Sequence, residues 1–518
     1  GGLRGLASAL LHRLRSWQLD GVDVWQDMGT YQHLLDARCE QSREFLRQRL
    51  AERLGSLLHR RREQLSKFLQ ALRSRSDGKQ QKLFEQIDFP LLLAAFPVWL
   101  CKLSDLANVL PLQAGLFDVV ILDEATQCDI ASCLPLLQRG KRVVVVGDPK
   151  QLRHISFLPH SRQEAIADEC QLTIEQQNQF SFRTRSILDA VSDSMRDPHS
   201  VVLLNEHFRS LPSIVQFSNE TFYAGALSIM RQRPSNHGLR SVTLRPVAGK
   251  RLDKGHNPIE GEALLEELAR RIAAQDGPQT SRTHAAGPPW LAAGQVEPPS
   301  IGILAPLREQ ADYLTEGLDR YFSWEQLQRH DLLVGTAHTF QGEERDLMLL
   351  SLTADDDSHA ATFRFLSDPH VLNVSVTRAR HEQLIFLSFD PQRLGPQSLL
   401  QRYLASVERP WRPTRPAQRP VDTFRSQLIA ALAGKPLRFW KDYAVAGVSL
   451  DLIIEAQERM LGVDLVGYPG TLSQSLLLER YRILRRAGLE VFPLSYRLWK
   501  RCPTTCVERI GQFFEMEI

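Results

Sequence analysis

Cysteine is scarce and scattered: seven in 518 residues, at Cys39, Cys101, Cys128, Cys133, Cys170, Cys502 and Cys506. That spacing is no disulfide framework, so reduced thiols in a cytoplasmic setting are the expectation. Cys502 and Cys506 make half a metal-binding pattern, but no second Cys/His pair lies near them. There is no run of about 18 apolar residues and no signal peptide, and nothing in the sequence places the chain in a membrane. Charge of one sign is also missing. The net charge is only +3, so any basic surface for a partner has to be local. A hydrophobic share of 43% and a charged share of 24% are those of a globular protein. The length suits about three domains. The chain opens on Gly-Gly instead of Met, and it is expected to be the carboxyl-terminal part of something longer.

The stretch "FDVVILDEATQCD" (117–129) runs four apolar residues into a pair of acids. Val119–Leu122 reads as a short buried strand with Asp123 and Glu124 at its carboxyl end, where open α/β sheets bind ligands. Such a pair suits nucleotide chemistry: Asp123 to position Mg²⁺, Glu124 to orient a water on the γ-phosphate of ATP. A site of that kind also needs a phosphate-cradling loop of the form GxxxxGK[ST], and none of the 518 residues supplies one. Gly78-Lys79 and Gly434-Lys435 both lack the upstream glycine and the following Ser or Thr.

Five segments follow from pattern. Residues 1–90 read as a helical insertion or stalk, with Leu46, Leu50, Leu54, Leu57, Leu58, Leu65, Phe68, Leu69 and Leu72 at helical spacing. Residues 42–75 carry ten Arg/Lys against three Glu. This is either a solvated face over a leucine stripe or a basic arm near nucleic acid, with Arg60, Arg61 and Arg62 as its candidate contacts. Residues 91–205 and 206–407 read as two α/β blocks, with strands expected at Val119–Leu122, Arg142–Val146, Ile301–Leu304, Leu332–Val334, Leu347–Leu352 and Gln383–Leu387. A Pro/Gly/Ala-rich stretch at 275–300 reads as a loop or disordered insertion. Residues 408–420, with four prolines and four arginines, read as a stiff linker. Residues 421–518 read as a small separate domain.

Further polar loops follow apolar strands. "VVVVGDPKQLRH" (143–154) offers Gly147 for a tight turn, Asp148, and Gln151 as a phosphate sensor. "LNEHFRSLPS" (204–213) offers Arg209, "VGTAHTFQGEERD" (334–346) offers Gln341, Gly342 and Glu344, and "LNVSVTRARHEQ" (372–383) offers Arg378 and Arg380. A surface ion pair is the ordinary role for any one of these arginines. The functional alternative is a fixed guanidinium that neutralises charge on a transferring phosphoryl group.

In this order and at these spacings the motifs resemble those of superfamily 1 helicases, in the Upf-one-like branch that acts on DNA or RNA. "DEATQ", "GDPKQL", "EHFRS", "TFQGEE" and "NVSVTRAR" carry the resemblance over about 90–390. It implies two RecA-like parallel-sheet domains, the first incomplete, with a helical insertion. It further implies Asp123 on Mg²⁺, Glu124 as catalytic base, Gln151 coupling the γ-phosphate to strand binding, and Arg209 and Arg378 as arginine fingers. Glu344 would contact the nucleotide sugar, with Gly147, Asp148, Gln341, Gly342 and Arg380 also lining the nucleotide. Ser104 in "FPVWLCKLSDLANVLP" (96–111), together with His338 and Thr339, would contact nucleic acid. His338 stands where many relatives have Asp. The P-loop, the adenine-contacting glutamine and the first strand-contact motif are absent, and they are expected upstream of Gly1. The partner implied is single-stranded or partly duplex nucleic acid, DNA favoured, in the cytoplasm of a bacterium.

The tail reads as helix (422–434), strand (448–456), strand (460–468), helix (473–488), strand (489–496). This plan resembles the Vsr-like, restriction-endonuclease-type fold. Asp451 and Asp464 on adjacent strands are then candidate ligands for a second Mg²⁺ or Mn²⁺. The glutamate usual in the first helix, the lysine or acid two residues beyond the strand carboxylate, and the usual histidine are missing, which favours DNA binding without cleavage. Two further function classes stay open: a nucleic-acid-binding scaffold without turnover, and a nuclease regulated by the helicase half.

Overall fold

The computed structural model describes residues 24–74, 76–276, 298–409, 411, 423–456, 459–466 and 477–515. The start of the helical block, nearly all of the 275–300 insertion and most of the 408–420 linker lie outside these residues. The chain divides into two compact units, one spanning Gly29–Leu203 and the other containing Leu204–Ile518.

The first unit is mostly helical. The expected helical block is a 37-residue helix, Val24–Arg60, followed after a break at Arg61 by Arg62–Arg73 and Asp77–Glu85, which pack on each other. Leu57, Ala71, Phe84, Phe89 and Leu92 form its core. The leucine stripe does not behave as the pattern suggests: Leu46 is 65% exposed, and Leu50, Leu58, Leu69 and Leu72 are exposed too. Along Val24–Arg60 the charged residues instead pair with one another one turn apart, as in Glu40–Arg43 and Glu44–Arg47.

Two strands of this unit, β1 (Val120–Leu122) and β2 (Val143–Val145), pair in parallel. The helix Ile130–Gln138 joins them, started by Asp129, whose carboxylate accepts the Ser132 N–H at 2.8 Å. Arg139 is buried and donates to the carbonyls of Pro111, Pro135 and Leu110 at 2.9, 2.6 and 2.8 Å, tying the connection down. The apolar run at 119–122 reads as fully buried in sequence, yet Ile121 is 67% exposed and only Val120 and Leu122 are covered. Among the described residues β1 pairs with β2 alone.

The second unit holds a five-stranded, all-parallel sheet in the order β5-β9-β8-β6-β7: β5 (Val242–Pro246), β6 (Ile301–Leu304), β7 (Leu333–Gly335), β8 (Arg345–Asp355) and β9 (Ala379–Ser388). Both faces are covered, as parallel sheets require. Met348, Leu350 and Leu352 of β8 pack with the helices Pro212–Phe222, Pro369–Val376 and Leu399–Val407. Leu347 and Leu349 point the other way, onto Pro258–Asp276 and Arg308–Tyr321. Ahead of this sheet, the short β3 (Glu206–His207) pairs in parallel with β4 (Ser228–Ile229).

The tail carries a mixed sheet in the order β10-β11-β12-β13: β10 (Arg438–Val445), β11 (Val448–Ala456), β12 (Arg459–Val466) and β13 (Glu490–Ser495), with β12 and β13 parallel and the other pairs antiparallel. Strand β10, absent from the sequence reading, forms a hairpin with β11 through Ala446-Gly447, both at positive φ. Phe424 and Leu428 of the helix Thr423–Ala431 cover one face of the sheet; Tyr481 and Leu484 of the helix Leu478–Arg486 cover the other. Gly488, at φ +74, ends the latter helix as its sequence suggests.

Candidate functional site

In the first unit, Asp123 and Glu124 sit directly beyond β1. Glu124 adopts φ 51, a left-handed conformation rare for a residue with a side chain. Its N–H donates to the Asp123 carboxylate at 2.9 Å, and the Gln127 side-chain amide donates to the Glu124 carboxylate at 3.4 Å. Asp123 is exposed and Glu124 half-buried. An exposed carboxylate at the carboxyl end of a parallel strand is a fitting donor for a hydrated Mg²⁺. The neighbouring loop packs on this turn. Gly147 is not in the left-handed region. It is glycine for proximity, because a Cβ there would lie 3.3 Å from the backbone nitrogens of Ala125 and Thr126. The Asp148 carboxylate accepts from the Lys150 N–H at 2.9 Å and from the Gln151 amide at 3.0 Å, which orients Gln151. Ser104 lies in a separate one-turn helix, exposed, and donates to Asp105 at 3.0 Å. Arg60, Arg61 and Arg62 are exposed at the break between two helices.

In the second unit, the structure brings together three of the sequence's candidate residues. Glu344 receives Arg209 on one oxygen and Arg380, at 2.8 Å, on the other. Burial works against the Glu344 charge, yet the two guanidinium groups hold the carboxyl below the usual range. Arg380 also reaches Asp346 at 3.4 Å. His207 accepts the Ser210 N–H at 3.0 Å, and burial, with Arg209 alongside, pushes its pKa down to about 4, so it is neutral. Gly342 occupies φ +79 at the turn into β8. A Cβ on Gly335 would run into the Thr339 side chain, and Thr339 and His338 are exposed on that turn. Gln341 is half-buried. Arg378 is covered, with donors on the carbonyls of Val374 at 3.1 Å and Phe340 at 3.4 Å. Engaging a phosphate would require this side chain to emerge.

Sequence reasoning missed Arg231, Asp346 and His381. Arg231 donates to the Arg209 carbonyl at 2.8 Å and lies against the His381 ring. "IMRQR" carries no motif that would have singled it out, whereas Asp346 is only two residues beyond Glu344.

In the tail, Asp451 and Asp464 lie on adjacent strands, one step beyond the Leu452–Val463 pair, and both are buried. Asp451 accepts the Leu465 N–H at 2.9 Å and Asp464 accepts the Tyr481 hydroxyl at 2.7 Å. Burial, with Asp451 opposite, raises Asp464 to about 7. Carboxyls turned inward onto a phenol, a peptide N–H and each other do not present a ligand set to a hydrated divalent ion. Among the described residues no group of three or more His, Cys, Asp or Glu is arranged to hold a metal. No described helix is long and apolar enough to cross a membrane.

Two family models, each described as an AAA domain, match residues 24–156 and 289–388. An uncharacterized ATP-dependent helicase of Mycoplasma genitalium is 25% identical over 58% of this chain and 25% of its own length. The helicase SEN1 of Saccharomyces cerevisiae is 27% identical over 56% of this chain and 12% of its own. The ATP-dependent helicase upf1 of Schizosaccharomyces pombe is 24% identical over 61% of this chain and 32% of its own. The chain thus spans a third or less of the length of these relatives. The AAA-domain matches and the helicase relatives together make this chain similar to Upf1-like superfamily 1 helicases.

Proposed function

We propose that this chain is the strand-engaging and phosphate-sensing part of an ATP-dependent helicase or translocase acting on single-stranded or partly duplex nucleic acid, DNA favoured. The observation that carries the reading is Glu344, which gathers Arg209 and Arg380 from two distant motifs onto one carboxylate. A pair of guanidinium groups fixed on a shared anion is preorganised to neutralise phosphoryl charge once that anion turns to a nucleotide. Mg²⁺, held by Asp123, would neutralise the phosphate oxygens. Glu124 orients the attacking water and takes its proton, and Gln151, steered by Asp148, reports the phosphate to the strand-binding residues, which are Ser104 in the first unit and His338 and Thr339 in the second. Arg378 joins Arg209 after leaving its carbonyl partners.

The tail is proposed to have a nuclease-type fold, retained for binding DNA without cutting it. Its helix, strand order and acid pair support the fold, and the inward, partnered acids argue against a metal there. A second reading, a binding scaffold without turnover, is favoured by the lack of a GxxxxGK[ST] loop in all 518 residues. ATP hydrolysis stimulated by single strands, measured in a polypeptide that joins this chain to a phosphate-cradling loop, separates the two. Turnover that rises with added strand supports the helicase; strand binding with no turnover supports the scaffold.

A further inference from the structure

Within the second unit, the tail's sheet and helices meet the two short strands, β3 and β4, that flank Arg209 in the chain. Arg486, in the last turn of the helix Leu478–Arg486, grips the Glu206 carboxylate with two nitrogens, one of them at 2.9 Å. Glu206 lies on β3, three residues before Arg209. Beside it, Met230 just after β4 is buried inside the tail's own core, with Tyr443, Val445, Leu450 and Leu484. The loop that follows places the His237 ring 5.3 Å from the Trp440 and Tyr443 rings and 5.4 Å from Trp411. His237 Nε2 is 2.8 Å from the Tyr443 hydroxyl. Burial holds this imidazole below its ordinary pKa, so the contact is between neutral groups.

These contacts continue to Arg209 without a gap. The Ser228 N–H donates to Asn205 at 2.7 Å and the Met230 N–H to His207 at 2.9 Å, tying β4 to β3. Arg231, next to Met230, donates to the carbonyl of Arg209 itself. The peptide that presents the arginine is therefore held on one side through Glu206 and on the other through Met230 and Arg231.

We propose that the tail domain is a positioning element for Arg209: docked through Arg486–Glu206 and through Met230 and His237, it fixes the β3–β4 segment and moves with it. The docking stands on these contacts alone; its catalytic consequence rests on Arg209 acting at the phosphates, as proposed above. Such a domain makes the aim of the arginine depend on what the tail is bound to, because a ligand that shifts the tail shifts β3 and β4.

Hydrogen exchange tests the docking in the chain as it stands. Arg486→Glu sets two carboxylates against each other and should raise deuterium uptake across 204–211 and 227–233. The double swap Glu206→Arg/Arg486→Glu should restore protection, and His237→Ala should raise uptake in the same two segments. Turnover tests the consequence in a polypeptide with a phosphate-cradling loop. Arg486→Glu should lower kcat about fivefold, the ceiling for a partly exposed ion pair, leave KM for ATP near its parent value, and have no further effect in an Arg209→Ala background. Unchanged uptake in both Arg486→Glu and His237→Ala overturns the docking. A kcat loss that persists in full without Arg209 overturns the route through that residue. Absence of strand-stimulated turnover in the parent sinks the helicase reading instead, and exchange then decides the docking by itself.

Discussion

The hydroxyl of Tyr481 donates to the Asp464 carboxyl at 2.7 Å, binding the second helix of the tail to a strand acid that faces Asp451. With its pKa raised to about 7, Asp464 keeps a proton in the folded state that the unfolded chain releases near pH 4. Its contribution to stability is thus fully present below about pH 4 and is lost as pH rises through about 7, on the order of 4 kcal/mol at most. Glu260, buried under β8 and likewise raised to about 7, acts in the same direction, so a difference between variants is needed. Urea unfolding at pH 5 and pH 8 should show a smaller pH dependence in Asp464→Asn than in the parent. Equal pH dependence in the two would rule out a shared proton at this pair.

The same inward geometry predicts little nuclease activity. The full chain should bind DNA yet leave it uncut with millimolar Mg²⁺ or Mn²⁺, because neither acid turns outward and no third ligand stands by among the described residues. Metal-dependent nicking that disappears in Asp464→Asn would show that the pair opens to hold an ion.

Much of the sheet architecture was legible because parallel strands buried on both faces are continuous apolar runs. The strand expected at Ile301–Leu304 is β6, and Leu347–Leu352 lies inside β8. The shorter β3 and β4 were missed, since two-residue strands have no period to read. The exposure of Leu46 and Ile121 was illegible for another reason: an apolar pattern says which face seeks burial, not whether a neighbour covers it. At the candidate site, motif spacing named Arg209, Glu344 and Arg380 but not that they meet. Arg231 acts through its hydrogen bond to a backbone carbonyl, which leaves no mark in the sequence.

ATP hydrolysis by residues 1–518 alone should be slow, near the background of a denatured control. Without backbone amides and a lysine around the β- and γ-phosphates, Asp123, Glu124 and the arginines have nothing held in place to act on. Robust strand-stimulated turnover by this chain would mean that another segment cradles the phosphates.

With a phosphate-cradling loop joined on, Glu124→Gln should keep nucleotide affinity and lose turnover by roughly 10²-fold, since a general base is removed at constant shape. Arg378→Ala should lose turnover too, but only if the side chain leaves the carbonyls of Val374 and Phe340 during the cycle. Steady-state kcat with a separate nucleotide-binding measurement distinguishes these outcomes. Parent-like kcat in Glu124→Gln would remove the acid pair from catalysis.

Strand binding should weaken steeply as salt rises, because contacts to a phosphate backbone release condensed counterions. Arg60, Arg61 and Arg62 stand exposed together where one helix ends and the next begins, without the one-turn ion pairs that occupy Arg43 and Arg47. If all three touch the backbone, the triple Gln variant should flatten the slope of log affinity against log salt by about 2, at roughly 0.7 per phosphate lost on a single strand. The experiment is a fluorescence-anisotropy titration of a labelled oligonucleotide at several salt concentrations. An unchanged slope would make this corner an ordinary solvated face and move the strand-binding charge elsewhere in the chain.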